Sequence, residues 1–397
     1  METIYLDWAA TSPMEPDIAT QMAQMYVHTY GNPSSAHSIG REAREILEKS
    51  RKLCSSLLKV EAEQLVFTSG GTEANTIPLL SLLRKTPTGE IVLSSIEHSA
   101  VYELGSLFRN LGYHVKEVSP DTDGIIRPEA VRKKLSPKTI AVAVMHVNNE
   151  IGSIQPIQEI AREVRSFENE NSCRIHFHCD AVQALAKIPV YPEVLGADSL
   201  AFSGHKFRGP KGTGLLYTRK KIIPLSSGGG QEFSMRPGTE NIPGIWAFCE
   251  SLKQRTHQME KEYSHACELR DTLWEQVKEI EGVEFFPAQR GALDSASELS
   301  YSPYIIALSL APVPGEVCAR VLNDRGISIG TGSACSSNRE KKRGRVIYSI
   351  TSDEEIARGI IRISFGPTTT KSDIEAFSYS LKQEIKLLRK TVRHRSL

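Results

Sequence analysis

The sequence predicts an α/β protein, with a mostly parallel sheet covered by helices on both faces and a smaller α+β unit after it. Two observations carry this. From about residue 62, short β-branched runs alternate with helical patterns, and such strand–helix–strand units lay their helices over a parallel sheet. From about Ile242 to Ile280 a long helical pattern with a charge-rich middle intervenes. The 397 residues, 40% hydrophobic and 24% charged, have the composition of a globular protein of about two to three domains.

In order, "QLVFTS" reads as a strand before the helical "TEANTIPLLSLLRK", "EIVLSS" before "SAVYELGSLFRNLG", and "HVKEVS" before "RPEAVRKKL". "TIAVAVMHV", "CRIHFHCD", "DSLAFS" and "GTGLLYT" follow as further strands. The long helix connects these to strands "ELSYS", "IIALSL" and "IRISFG" and helices "PGEVCARVLNDRG" and "KSDIEAFSYSLKQEIKLLRK".

Composition excludes several classes of function. Lys and Arg (48) balance Asp and Glu (47), so no global field draws in nucleic acid or an anionic membrane. No apolar run approaches the ~20 residues of a membrane span. "METIYLDWAA" lacks the basic start and apolar run of a targeting segment, and seven scattered cysteines do not read as a disulfide framework. A reducing, cytoplasmic setting is expected.

Ligands of open α/β sheets bind at the carboxyl ends of the strands. Ser69-Gly70-Gly71-Thr72 follows a strand and opens a helix, a place where glycines and free N–H groups receive an anion; the plainer reading is a helix cap. Lys206, in "SGHKFRGPKGTG", also lies at a strand end. Pro210 stands where a P-loop needs its lysine, so that reading fails. A lysine that binds pyridoxal phosphate needs a carboxylate for the ring nitrogen. Asp180, ending "RIHFHCD", is the candidate, and alternation puts His176, His178 and Asp180 on one face with Cys179 on the other. That split argues against a zinc site. Gln183 lies within reach of the same cofactor.

"IEHSAV", "MHVNNEIG", "HCDAVQA", "AFSGHKFRGPKGTG", "RPGTEN" and "GTGSACSS" occur in that order after "IYLDWAATSP". Together they resemble the cysteine desulfurases of the class V aminotransferase family, in the subgroup with a long active-site loop. The resemblance runs over nearly the whole chain. It implies a seven-stranded, mostly parallel sheet of the fold type I pyridoxal-phosphate enzymes. It further implies a large cofactor-binding domain over residues 12–255, and a small α+β domain made of 1–11 and 256–397 that carries the cysteine loop.

The resemblance also implies roles. Lys206 would hold pyridoxal 5′-phosphate covalently, Asp180 would pair with its ring nitrogen, and Gln183 and Asn149 would face its phenolic oxygen. His98 would stack on the ring and move protons. Gly71, Thr72, Ser203 and His205 would bind the phosphate, and Thr239 would reach the phosphate of a neighbouring subunit, implying a homodimer. Asn149 and Arg362 would bind the substrate, L-cysteine, with Arg362 on its carboxylate. Cys335 would take the sulfur as a persulfide, leaving alanine, for a sulfur-acceptor protein of iron–sulfur assembly or tRNA thiolation. No metal and no membrane are implied. One departure stands out: "NREKKRGRVIYSI" replaces an apolar segment after the cysteine, and gathers Arg339, Lys341, Lys342, Arg343 and Arg345 as a solvated loop or a docking surface. A selenocysteine lyase or aminotransferase of the same fold would keep Lys206, Asp180 and His98 without requiring Cys335.

Overall fold

The computed structural model describes residues 3–84, 88–292, 300–332 and 344–393. Twelve strands are named among them in chain order: β1 (Ile4–Leu6), β2 (Leu65–Thr68), β3 (Glu90–Ser94), β4 (His114–Val118), β5 (Thr139–Ala143), β6 (His176–Asp180), β7 (Ser199–Ser203), β8 (Gly214–Thr218), β9 (Glu284–Phe286), β10 (Ile305–Ser309), β11 (Ile327–Thr331) and β12 (Ile360–Ser364).

Seven of them form one sheet in the order β2-β8-β7-β6-β5-β3-β4. β8 runs antiparallel to both neighbours, and the other ladders are parallel. Every residue of β2, β7 and β8 is buried, as expected where helices cover both faces and a strand has no solvent side. The chain steps outward from β3 to β4, then returns past β3 to build β5, β6 and β7 on the other side. That reversal opens a crevice at the carboxyl ends of β3 and β5.

The other five strands form a second sheet, β1-β11-β12-β10-β9, in which only β1 and β11 pair in parallel. Of "ELSYS", residues 300–302 are described, and there Tyr301 makes an isolated bridge to Ser153 rather than a ladder in this sheet. β9 and β11, which the sequence pattern does not announce, are three and five residues long, and neither is fully buried. The expected connecting helix spans Ile242–Val277. Its Ile245, Phe248 and Leu252 pack into the core of the larger sheet, and its Leu269, Leu273 and Val277 into that of the smaller one. No described helix is long and apolar enough to cross a membrane.

A buried ion pair fixes the segment that carries Thr239. Arg51 donates from Nη2 to Glu232 Oε1 (2.7 Å) and from Nη1 to Glu232 Oε2 (2.9 Å) and the Leu65 carbonyl (2.7 Å). Glu232 Oε2 also accepts from the Phe67 amide (2.7 Å). Both side chains are almost wholly enclosed, so removing one strands the other charge. Glu232→Ala is expected to cost about 3–5 kcal/mol, read as a lower denaturation midpoint. The double variant Arg51→Met, Glu232→Gln, which leaves the Phe67 amide an acceptor, is expected to lose less.

Candidate active site

Four chain segments leave the sheet around the crevice. After β3, residues 95–98 lead into the helix Ser99–Asn110, and His98 caps it: its Nδ1 accepts from the Ala100 amide (3.1 Å). The ring proton of neutral His98 therefore sits on Nε2. Burial, with Lys206 and Arg345 nearby, lowers the His98 pKa against the opposing pull of Asp180. Just before it, Glu97 is buried, and its Oε1 accepts from Ser94 Oγ (2.5 Å) and the Met145 amide (2.6 Å). Burial pushes the Glu97 carboxyl up to about 7.

After β5, Asn148 shapes the turn. Its Oδ1 accepts from the amides of Glu150 (2.8 Å) and Ile151 (3.0 Å), and its Nδ2 donates to the Ile96 carbonyl (3.0 Å). This ties the Asn149 turn to the His98 loop.

At the end of β6, Asp180 is buried and held at both oxygens, by the Val182 amide on Oδ1 (3.0 Å) and Asn75 Nδ2 on Oδ2 (2.8 Å). Asn75 Oδ1 in turn bonds His178 Nε2 (2.7 Å), so His178 and Asp180 do share a face. Ser199 Oγ lies against both His178 Nδ1 (2.7 Å) and His176 Nε2 (2.8 Å). Burial, with His176 beside it, takes His178 down to about 3, so it is a neutral member of this network.

At the end of β7, Ser203, His205 and Lys206 meet the N-terminal segment. Lys206 Nζ donates to the carbonyls of Ala9 and Ala10 (both 2.7 Å). Gln183 Nε2 donates to the same Ala9 carbonyl (2.8 Å). Lys187 Nζ donates to Gln183 Oε1 (2.7 Å) and so fixes which way that amide points. Burial, with Lys206 and Arg362 near, brings Lys187 down to about 7. His205 Nδ1 lies 3.1 Å from Thr11 Oγ1, and burial beside Lys206 lowers it to about 4.

Arg362, on β12, is buried rather than a surface strand arginine. It donates from Nη1 to the Asn149 carbonyl (2.8 Å) and from Nη2 to Asp7 Oδ1 (2.6 Å), while its Nε has no partner. Gly330 leaves room for this pair, since a Cβ there would stand 2.7 Å from Asp7 Oδ1 and 2.8 Å from Arg362 Nε. Thr239 lies apart from these groups, in a small cleft with Thr68, Ser69, Gly212 and Thr213. Cys335 lies outside the described residues, as do Arg339, Lys341, Lys342 and Arg343. Arg345 is described, and it turns inward onto the carbonyls of Ser95 and Glu97.

Sequence reading singled out neither Asn75, Lys187, Asp7, Ala9 nor Glu97. Lys187 lies four residues after Gln183, a spacing that was legible; the others meet the site only through the fold.

The family model for Aminotransferase class-V matches residues 4–377. The chain belongs to this family. A cysteine desulfurase IscS of Dictyoglomus turgidum is 37% identical over 391 residues, covering 97% of this chain and 95% of its own length. A cysteine desulfurase IscS of Methanosarcina thermophila is 34% identical over 94% of this chain and 90% of its own. Among solved structures, a NifS-like protein superposes with a TM-score of 0.87 at 31% identity, covering 97% of this chain and all of that one. The structure of SspA in complex with cysteine superposes at 0.76 with 27% identity, over 92% of this chain and 99% of the other.

Members of this family depend on pyridoxal phosphate, and the residues present fit that group. The helix Gly71–Ser81 starts after Gly70 (φ +152°) with no side-chain cap, leaving its first N–H groups for an anion. A Cβ on Gly71 would crowd Val182 (2.8 Å) and approach Ser203 (3.4 Å). A twice-anchored buried carboxylate at Asp180 suits a protonated ring nitrogen, and the Lys206 amine opens on the same crevice.

Glu97 gives the region a measurable pH signature. Its folded pKa of about 7 lies above the ordinary 4.5, so its stabilising contribution is complete below about 4.5 and declines as pH rises to about 7. Glu97→Gln is expected to flatten that part of the stability–pH curve relative to wild type, as read from thermal midpoints between pH 4.5 and 8.

Proposed function

We propose that this protein is a pyridoxal-phosphate-dependent cysteine desulfurase, which converts L-cysteine to L-alanine and takes the sulfur as a persulfide on Cys335. The observation that carries this is the convergence of Lys206, Asp180, His98, Gln183 and Arg362 on one crevice, in a chain 37% identical to a named cysteine desulfurase.

Lys206, Asp180 and Gln183 would hold the cofactor, with Gly71, Thr72, Ser203 and His205 at its phosphate. When bound, it supplies an electron sink for carbanion chemistry at the substrate's α-carbon. Arg362 binds the substrate carboxylate, a bidentate task suited to its planar fork, and Asn149 lines the same pocket. Lys206 Nζ takes the α-proton. His98 serves as a donor from Nε2, because its Nδ1 is engaged by the Ala100 amide. Cys335 Sγ, as thiolate, attacks the substrate sulfur; the carbon–sulfur bond breaks, its electron pair stays with the substrate carbon, and protonation there gives alanine. Residues 12–255 form the cofactor domain, and 1–11 with 256–397 the domain bearing the cysteine. The persulfide serves a sulfur-acceptor protein in the cytoplasm, in iron–sulfur assembly or thiolation.

Incubation with L-cysteine is expected to yield sulfide, under a reductant, and alanine, with borohydride placing a cofactor adduct on Lys206. In Cys335→Ala the adduct persists while sulfide release falls by several orders of magnitude, since the covalent route is lost. Release at the wild-type rate would instead identify a lyase that needs no thiol.

Thr239 would complete the phosphate site of a second subunit, so holoenzyme is expected to sediment as two chains. A fully active monomer would refute this assignment.

A further inference from the structure

The loop between β3 and the helix Ser99–Asn110 delivers His98, and two side chains hold it from opposite directions. On its buried side, Glu97 accepts from Ser94 Oγ and the Met145 amide. On its outer side, Arg345 donates Nη1 to the Ser95 carbonyl and Nη2 to the Glu97 carbonyl, with its guanidinium 3.8 Å from the centre of the Tyr102 ring. The two carbonyls so bridged lie immediately upstream of His98. Tyr102, under the guanidinium, belongs to the first turn and a half of the helix that His98 caps. Arg345 comes from a distant part of the chain, 248 residues from Glu97 and ten positions after Cys335.

We propose that Arg345 is a positioning residue, whose fork fixes the spacing of the Ser95 and Glu97 carbonyls and thereby the place of the His98 ring. The inference rests on the reading of His98 as part of the catalytic site. The geometry calls for a guanidinium in particular. A planar fork spans two carbonyls and stacks on a ring at once, whereas an ammonium is a point charge that does neither together. Glu97 keeps the loop attached from below, so loss of Arg345 displaces His98 without unfolding its surroundings. Charge alone is a competing account, since Arg345 faces His98 along with Lys206, Asp180 and His205. The lysine variant separates the two.

The test compares holoenzyme with Arg345→Ala, Arg345→Lys, His98→Gln and, as a control for a nearby surface cation, Arg109→Met, whose partner Glu117 is 33% exposed. Arg345→Ala is expected to lower kcat by roughly 10- to 100-fold, the scale of a misplacement near 1 Å. KM for cysteine is expected to stay within about twofold, since Arg362 is untouched. Amide exchange in the peptide covering 95–102 accelerates by about tenfold, as expected when anchored carbonyls are released. Arg345→Lys recovers little, millimolar guanidinium ion restores part of the rate to Arg345→Ala, and Arg109→Met behaves as wild type. The proposal is overturned if Arg345→Lys matches wild type, which makes charge sufficient, or if exchange in 95–102 is unchanged. It is also overturned if His98→Gln retains full kcat while Arg345→Ala does not, because Arg345 then acts elsewhere. If wild type releases no sulfide, the functional reading fails, and the exchange measurement alone decides the anchoring.

Discussion

One residue, Ala9, joins the two sheets at the crevice. The Ala9 amide donates to Ser364 Oγ, at the end of β12 in the smaller sheet (2.9 Å). The Ala9 carbonyl accepts from Gln183 and Lys206, which follow β6 and β7 of the larger one. The neighbouring residues extend the seam: Asp7 holds Arg362, and Thr11 and Ser12 meet His205. The short polar contacts of the seam fix distances between groups from both sheets, beside apolar contacts in which Ile305 of β10 joins the core of the larger sheet and Ile151 packs with Phe286, Ala307 and Ile360.

Burial sets the charge of the crevice. Burial keeps His98, His178 and His205 neutral at physiological pH, and raises Glu97 and Glu150 to about 7. Against these stand Lys206, Arg362 and Arg345, with Lys187 lowered toward neutrality. Asp180 thus stands in a largely cationic neighbourhood, a setting that favours an anionic ligand such as a phosphate and a substrate carboxylate.

Much of this was legible in the sequence because strand ends announce themselves. The alternation in "RIHFHCD" put His178 and Asp180 on one side, and Asn75 indeed touches both. Lys206 and His98 each follow a strand at a point where the apolar run stops, and Ser203 ends one. Asn75 and Asp7 left no such signal. Their partners lie 105 and 355 residues away, and no local spacing encodes a contact of that range. Arg345 misled for another reason: in sequence it is the last member of a basic run, and composition alone does not tell that this cation finds two carbonyls. Tyr301 shows the limit for strands, because an alternating pattern gives the propensity to pair and not the partner, here Ser153.

The pairing of β1 with β11, Ile4 against Ile327, also sets an order in which the molecule can be assembled. The ribosome releases the amino terminus first, so β1 emerges long before the strand it joins exists. Ala9 likewise waits for Ser364. The larger sheet, whose last strand ends at Thr218, can close while the opening residues of the chain are still unpaired. Loop closure over more than three hundred residues then comes late and carries the entropy of so long a loop. A nascent chain can thus hold its main core and still lack Arg362, which β12 brings to Asn149 and Asp7 only when synthesis is nearly complete.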